Sequence, residues 1–289
     1  MPPIIEVHDL SKVYKVGTER VRALSHINLT IDKGEICCIF GVSGSGKSTL
    51  LNQLAGLEKP SGGYVRIGKH IISKMSENEL ALFRQEHIGF IFQSYNLFGT
   101  MTALENTAAP LLYRGVPKKK REAAAKKILQ EVGLGARLNH LAGQMSGGQQ
   151  QRVGIARAFV ARPAIVFADE PTGNLDSRTT VEVMEMLVRM AREYNITFIL
   201  VTHNNELADY ADRIITIKDG QLVGDVRKPP RPETLTAPPS EETTAPAAEE
   251  AAPASPEEAK PEPAENLQTP ETFTPPEAAN EQQTGGENQ

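Results

Sequence analysis

The stretch Ile36-Cys37-Cys38-Ile39-Phe40-Gly41-Val42-Ser43-Gly44-Ser45-Gly46-Lys47-Ser48-Thr49-Leu50-Leu51 decides the fold. It starts as a short apolar run of strand length. It continues as the pattern G-x-x-x-x-G-K-[ST] and ends in a stretch over 47–55 that puts Leu50, Leu51 and Leu54 on one helix face. Strand before and helix after is the context in which this pattern cradles phosphates. Gly41, Gly44 and Gly46 let the backbone curl so that its N–H groups, with those of Ser43 and Ser45, point into an anion cavity. The helix start at Lys47–Thr49 adds a favourable partial charge. Lys47 has the reach for the β- and γ-phosphates, and the Ser48 hydroxyl can ligate Mg²⁺.

Outward from this loop, Ile4–Leu10, Val21–Ile31, Arg213–Lys218 and Phe198–Val201 read as strands, and Ile165–Ala168 as a strand covered on both faces. Lys118–Val132, Gln150–Ala161 and Ser177–Glu193 carry helical periodicity. Alternating strands and helices predict an α/β fold with a mainly parallel core sheet, and the early strands predict a β-rich flank. Residues from about 95 to 160 lack a strand and read as an inserted helical subdomain. The basic run Lys118–Arg121 reads as a solvated helix face. The two cysteines, Cys37 and Cys38, are strand neighbours and point to opposite faces, so they predict small buried residues, not a disulfide.

Ile165–Ala168 runs into Asp169 and Glu170. Asp169 suits a Mg²⁺ shell, and Glu170, one residue on, suits polarising an attacking water. Ser146-Gly147-Gly148-Gln149 precedes another helix, with Ser146 as N-cap and the glycines exposing backbone N–H groups. The chain therefore has two phosphate-binding helix starts for one nucleotide. The simplest resolution is a dimer in which each site borrows one of them from the other copy.

These residues together resemble the ATP-binding subunits of ABC transporters. Ser146–Gln149 followed by Gln150-Gln151-Arg152 is similar to the family signature, Gln93 to its Q-loop and Gly173-Asn174-Leu175-Asp176 to its D-loop. His203 resembles the switch histidine, and Tyr14 the aromatic that stacks on adenine. The likeness spans about residues 4–225. Met145 departs from the usual Leu, a change of similar volume. The resemblance implies a P-loop ATPase of ABC type that hydrolyses ATP with Mg²⁺ near Ser48, Gln93 and Asp169. It implies Glu170 as general base, and Gln93 and His203 as γ-phosphate contacts. Ser146, Gly147, Gly148 and Gln149 would complete the other copy's site, with Asp176 communicating across an ATP-sandwich homodimer. Separate membrane permease subunits are the implied partners, docking around residues 93–137, with the chain peripheral on the cytoplasmic face of the membrane. Within the family the chain resembles the group of lipoprotein-release (LolD-type) and macrolide-efflux (MacB-type) ATPases. The extended loop expected at Lys15–Arg22 leans towards that group, and the alternative is an FtsE-like regulator of cell-wall hydrolysis.

The 289-residue chain has a net charge of −5, but the charge is unevenly placed. From Pro229 to Gln289 thirteen Glu stand against two basic residues, so this stretch carries −11 and residues 1–228 carry +6. A body this mildly basic gives no nucleic-acid footprint. The same stretch holds thirteen of the 20 prolines and no Val or Ile, a composition that predicts a disordered acidic tail over 229–289, after an ATPase domain over 1–228. No apolar run reaches the ~20 residues of a membrane span, and the start predicts no secretory leader.

Overall fold

The computed structural model describes residues 3–229. The predicted tail therefore lies, but for Pro229, outside the described residues.

The chain opens with a hairpin, β1 (Ile5–Val16) and β2 (Glu19–Ile31), continues through β3 (Ile36–Phe40) and α1 (Lys47–Leu54), and returns through β4 (Gly62–Ile67) and β5 (His70–Ile71). After α2 (Glu77–His87) and β6 (Ile88–Phe92) come three helices, α3 (Ala103–Tyr113), α4 (Lys118–Glu131) and α5 (Gly147–Phe159). Then follow β7 (Ile165–Asp169), α6 (Ser177–Glu193), β8 (Thr197–Thr202), the single turn α7 (Asn205–Ala208), β9 (Arg213–Lys218) and β10 (Gln221–Arg227).

Two sheets result. The flank is antiparallel, in the order β2-β1-β4-β5, and the larger sheet runs β10-β9-β3-β8-β7-β6. Its strands β9, β3, β8, β7 and β6 are parallel, and β10 alone is antiparallel at one edge. The period-2 alternation of a strand distributes the core. Cys37 and Ile39 enter the apolar cluster shared with the flank sheet and with Leu50, Leu51 and Leu54 of α1. Ile36 and Cys38 enter the cluster on the opposite face, with α3, α4, α5 and α6. Both cysteines are free and buried, and burial pushes the Cys38 thiol up to about 12.

The helical insert is α3, α4 and α5, anchored by the capping box of Thr102 with Glu105 and by that of Ser146 with Gln149. The expected loop at Lys15–Arg22 is a correction. Its strands stay paired, Val16 opposite Glu19, and only Gly17 and Thr18 turn, with Gly17 at φ +61°. A residue free to take positive φ permits this tight reversal, so the hairpin extends further than the apolar pattern indicates. The strand β6 and helix α2, whose apolar signals are short, also extend the fold beyond the sequence reading.

Candidate active site

Strand register gathers the predicted residues. Phe40 at the end of β3 lies beside Thr202 at the end of β8, while Asp169 at the end of β7 lies between Val201 of β8 and Phe92 of β6. The loop Gly41–Gly46, His203, Glu170 and Gln93 thus follow the carboxyl ends of four adjacent parallel strands. In an open α/β sheet this is the edge where ligands bind.

The loop after β3 needs its glycines. Gly46 caps α1 at φ +102°, and a Cβ there would come 2.6 Å from the Ala23 carbonyl oxygen. A Cβ on Gly41 would come 2.3 Å from the Ile217 carbonyl oxygen, whereas Gly44, at φ +78°, opens onto free space at the mouth beside exposed Ser43. The first helical bond of α1 runs from Leu50 N–H to Gly46 O, and no side chain caps the helix. The N–H groups of Lys47, Ser48 and Thr49 therefore have no helical acceptor and make an anion cradle. Lys47 is buried, and its Nζ donates to Val42 O at 2.8 Å, which sets the ammonium inside the curl. Ser45 does not face the mouth. Its N–H donates to Val42 O, its carbonyl accepts from Gly220 N–H, and its buried hydroxyl has no partner among the described residues.

Ser48 Oγ donates to Asp169 Oδ1 at 3.4 Å. Burial raises the pKa of Asp169; the Ser48 hydroxyl opposes the shift and the Glu170 charge adds to it. The donors available here, hydroxyl, carboxylate and the Gln93 amide, are all oxygen. Among the described residues no group of three His, Cys, Asp or Glu is placed to enclose a metal. Such a sparse set of hard ligands fits Mg²⁺, which keeps waters and phosphate oxygens in its shell.

Glu170 sits at φ +44°, a left-handed position for a residue with a Cβ, and its surroundings fix it there. Its N–H donates to Val201 O, its carbonyl accepts from Gly173 N–H, and its Oε1 lies 2.8 Å from His203 Nδ1. Next to it, the Pro171 carbonyl accepts from Nε2 of Gln151, a fully buried residue of α5. Glu170, His203, Gln93, Gly173 and Tyr210 line a cavity of about 410 Å³.

Gln93 is exposed at the end of β6. Asn174 Nδ2 donates to its carbonyl at 3.0 Å, and a Cβ on Gly173 would come 2.6 Å from its Nε2. Just beyond, Tyr95 and Asn96 both have positive φ, and the Arg157 guanidinium of α5 donates to both their carbonyls, at 2.8 and 2.5 Å. Ser146 accepts from Gln149 N–H and donates its own N–H to Gln149 Oε1, so the Gln149 side chain is engaged in capping α5. Side chains at Gly147 and Gly148 would lie 2.8 Å from the Tyr95 hydroxyl and from Thr179 Cγ2, respectively. Asp176 caps α6 by accepting from Thr179 N–H, which holds its carboxyl below the usual range. Tyr14 stands at the outer edge, its hydroxyl donating to Glu58 Oε2 at 2.7 Å.

Among the described residues no hydrogen bond joins Ser146–Gln149 to Gly41–Thr49, so within one chain the two helix starts are separate features. The sequence reading missed Gln151, Arg157 and Asn174 as contacts of the loops that follow Glu170 and Gln93. Gln151 and Arg157 lie on a helix whose polar residues carry no local pattern, and only the tertiary fold shows what they reach.

A family model described as ABC transporter matches residues 24–173. The lipoprotein-releasing system ATP-binding protein LolD of Geobacter metallireducens is 47% identical over 225 residues, covering 78% of this chain and 100% of that protein. The macrolide export ATP-binding/permease protein MacB 1 of Aeromonas hydrophila is 45% identical over 230 residues, 80% of this chain but 35% of that longer protein. Among solved structures, the ATP-binding cassette MJ0796, a dimer in a post-hydrolysis state bound to ADP and Pi, superposes with a TM-score of 0.72 at 39% identity, over 77% of this chain and 98% of that one. With its phosphate loop, its carboxylate pair and its second helix start in the family's order, the chain belongs to the ABC transporter family, as one of its ATP-binding subunits.

Proposed function

We propose that this chain is the ATPase of a transporter of the lipoprotein-release and macrolide-export group, acting as a nucleotide-sandwich dimer on separate permease subunits. The relatives described above do not favour the FtsE-like alternative. The observation that carries the reading is the alignment of Lys47, Asp169, Glu170, His203 and Gln93 at the ends of four neighbouring parallel strands.

In this reading Tyr14 stacks on adenine, and the N–H groups of Gly41–Thr49 bind the phosphates. Lys47 exchanges the Val42 carbonyl for the β- and γ-phosphate oxygens. Ser48, Asp169 and Gln93 would hold Mg²⁺, which when bound neutralises the phosphate charge. Glu170 takes a proton from the water whose oxygen forms the new bond to γ-phosphorus, while the bond to the ADP oxygen breaks. His203, hydrogen-bonded to Glu170 Oε1, holds that carboxylate and contacts the γ-phosphate. The helix start of the second copy, Ser146–Gln149, closes over the γ-phosphate with Asp176 nearby. The γ-phosphate thus favours the closed dimer, and its loss on hydrolysis removes that preference.

The permease docks in an apolar groove of about 550 Å³, which refines the expected surface around residues 93–137. Its walls are Arg84 of α2, Phe90 and Phe92 of β6, Phe98, and Pro110 and Tyr113 of α3. The α4 helix and its basic run do not line it. The ATPase domain is assigned to residues 1–228, with the acidic stretch 229–289 outside it. Among the described residues no helix is long and apolar enough to cross a membrane, and peripheral attachment to the cytoplasmic face through the permease fits that.

The test is Glu170→Gln. It keeps size and hydrogen bonding but cannot take the proton, so ATP binding persists while turnover falls at least about 100-fold. The stalled variant also accumulates as a dimer in ATP and Mg²⁺ during size-exclusion chromatography. Near-normal turnover rejects the role of Glu170. A variant that stays monomeric in saturating nucleotide rejects the sandwich.

A further inference from the structure

The ring of Tyr14 is held by residues from two other parts of the chain. Its hydroxyl donates to Glu58 Oε2 and also meets the Thr49 side chain at the end of the phosphate loop. Glu58 follows α1 and uses both carboxylate oxygens. Oε1 accepts from Asn52 Nδ2 of α1 at 3.1 Å, and Oε2 also pairs with Lys12 Nζ at 3.2 Å. Lys12 lies over the Tyr14 ring, 5.1 Å from its centroid, and its Nζ donates to Lys59 O as well. Ser61 N–H donates to Ser11 O, and Val13 N–H donates to Ser61 Oγ. The segment 58–61 therefore binds the outer end of β1 to the far end of the helix that opens at Lys47.

This arrangement has a consequence for nucleotide binding. A phenol ring on a strand end is free to rotate unless both its edge and a face are fixed. Here Glu58 fixes the hydroxyl edge and the Lys12 ammonium occupies one face by cation–π attraction. A base stacked on Tyr14 would take the face opposite Lys12. Neither Lys12 nor Glu58 belongs to the phosphate loop.

We propose that Lys12 and Glu58 are positioning residues for base recognition: Glu58, braced by Asn52, sets the plane of the Tyr14 ring, and Lys12 backs the face opposite the adenine. This rests on the reading of Tyr14 as the base-stacking residue. Base and triphosphate are then gripped by one connected unit, because the brace runs from the ring to the phosphate-loop helix.

The experiment uses the full chain and two probes: ATP as substrate, and inorganic tripolyphosphate, which has no base, as competing ligand. Glu58→Ala and Lys12→Met each raise the KM for ATP about three- to tenfold, as expected for the loss of a hydrogen bond or a cation–π contact. In both, kcat stays within about twofold and the inhibition constant of tripolyphosphate is unchanged. Glu58→Gln, which keeps an acceptor for the phenol, restores most of the affinity. A merely structural role moves the two probes together and overturns the proposal. So does an unchanged KM in both variants. If Glu58→Ala fails to fold, Lys12→Met, which keeps the stem and loses only the ammonium, decides by the same two measurements. Tyr14→Ala separates the two levels. A raised KM there with no effect of Glu58→Ala and Lys12→Met rejects the brace but not the stacking, whereas no effect of Tyr14→Ala rejects both.

Discussion

Replacing Gln151 by methionine tests whether the carbonyl beside Glu170 is held in place by α5. Gln151 is fully buried; its Nε2 donates to Pro171 O at 2.5 Å, and its Oε1 has no partner among the described residues. Methionine keeps the length and nearly the volume of the side chain, so packing is preserved. Two polar effects then oppose each other. The Pro171 carbonyl, now buried and unpaired, costs about 1–3 kcal/mol, while removing the already unpaired Oε1 relieves a penalty of similar size. The net change in stability is within about 1 kcal/mol, a shift of roughly 2–4 °C in Tm for a domain of this size. Catalysis has no such offset. Glu170 occupies a left-handed conformation that costs of order 1–3 kcal/mol and persists only while its neighbours enforce it. Releasing Pro171 loosens that enforcement, and a displacement of about 1 Å at a reacting group can lower a rate about 100-fold. The expected result is a kcat reduced about ten- to 100-fold, with KM for ATP nearly unchanged because the phosphate loop is untouched. Steady-state ATPase assays and thermal unfolding on the full chain measure both quantities. A folded variant with kcat within twofold of the parent refutes the reasoning. So does a Tm lowered by more than about 8 °C, because Gln151 would then be holding the core and not the loop.

Two further outcomes follow from the same geometry. Arg213 is buried, pairs through Nε and Nη2 with Asp225 at 2.6 Å each, and lies 3.6 Å from buried Glu35; Arg213→Met leaves Glu35 poorly paired and costs about 3 kcal/mol in urea unfolding. The Arg213 hydrogen bond holds the Asp225 carboxyl below its usual range, so this stability is present above the ordinary carboxylate pKa of about 4 and is lost as pH falls through the depressed folded value; the parent shows that acid-side loss in urea midpoints and the variant lacks it. Tyr113 is 66% exposed at the rim of the groove assigned to the permease; Tyr113→Glu lowers co-purification with the membrane partner at least about tenfold while leaving basal ATPase activity and Tm unchanged, and undiminished co-purification counts against that groove.

Much of the architecture is legible because apolar runs and phosphate-binding glycines are local signals. Ile165–Ala168 announces a doubly covered strand, and Gly41–Thr49 announces the turn that follows β3. The weaker elements are a different matter. β6 is five residues with a glycine second, and it becomes a strand because β7 offers a parallel edge that pairs Ile88 through Phe92. The hairpin tip at Gly17 reads as a loop because Lys15, Glu19, Arg20 and Arg22 are polar, although their backbone pairs in regular register. At the site, motif residues were legible but their supports were not. Gln149 and Asp176 resemble binding residues in sequence, and in the fold their side chains cap helices. Glu58 reaches Tyr14 and Gln151 reaches the Pro171 carbonyl across 44 and 20 residues, separations at which no periodicity operates.

The placement of α5 gives these supports a common logic. Its first turn carries the half-buried Gly147 and Gly148, where a Cβ would push against the Tyr95 hydroxyl and the Thr179 methyl, respectively. One turn later Gln151 grips the carbonyl next to Glu170, and near its last turn Arg157 grips the two left-handed residues that follow Gln93. A helix is stiff over thirteen residues, so these three attachments cannot move independently. In the proposed reading, a ligand engaging the amino end of α5 would act on the carbonyl beside Glu170 and on the two residues that follow Ser94 through these hydrogen bonds. Left-handed Glu170, Tyr95 and Asn96 are the residues whose backbone most readily relaxes when such a grip shifts, because each already sits away from its preferred conformation. A second copy's nucleotide bound at Ser146 would thus bias the geometry of the first copy's own catalytic loops. The size of that bias is limited to the difference in binding free energy between the two arrangements of α5.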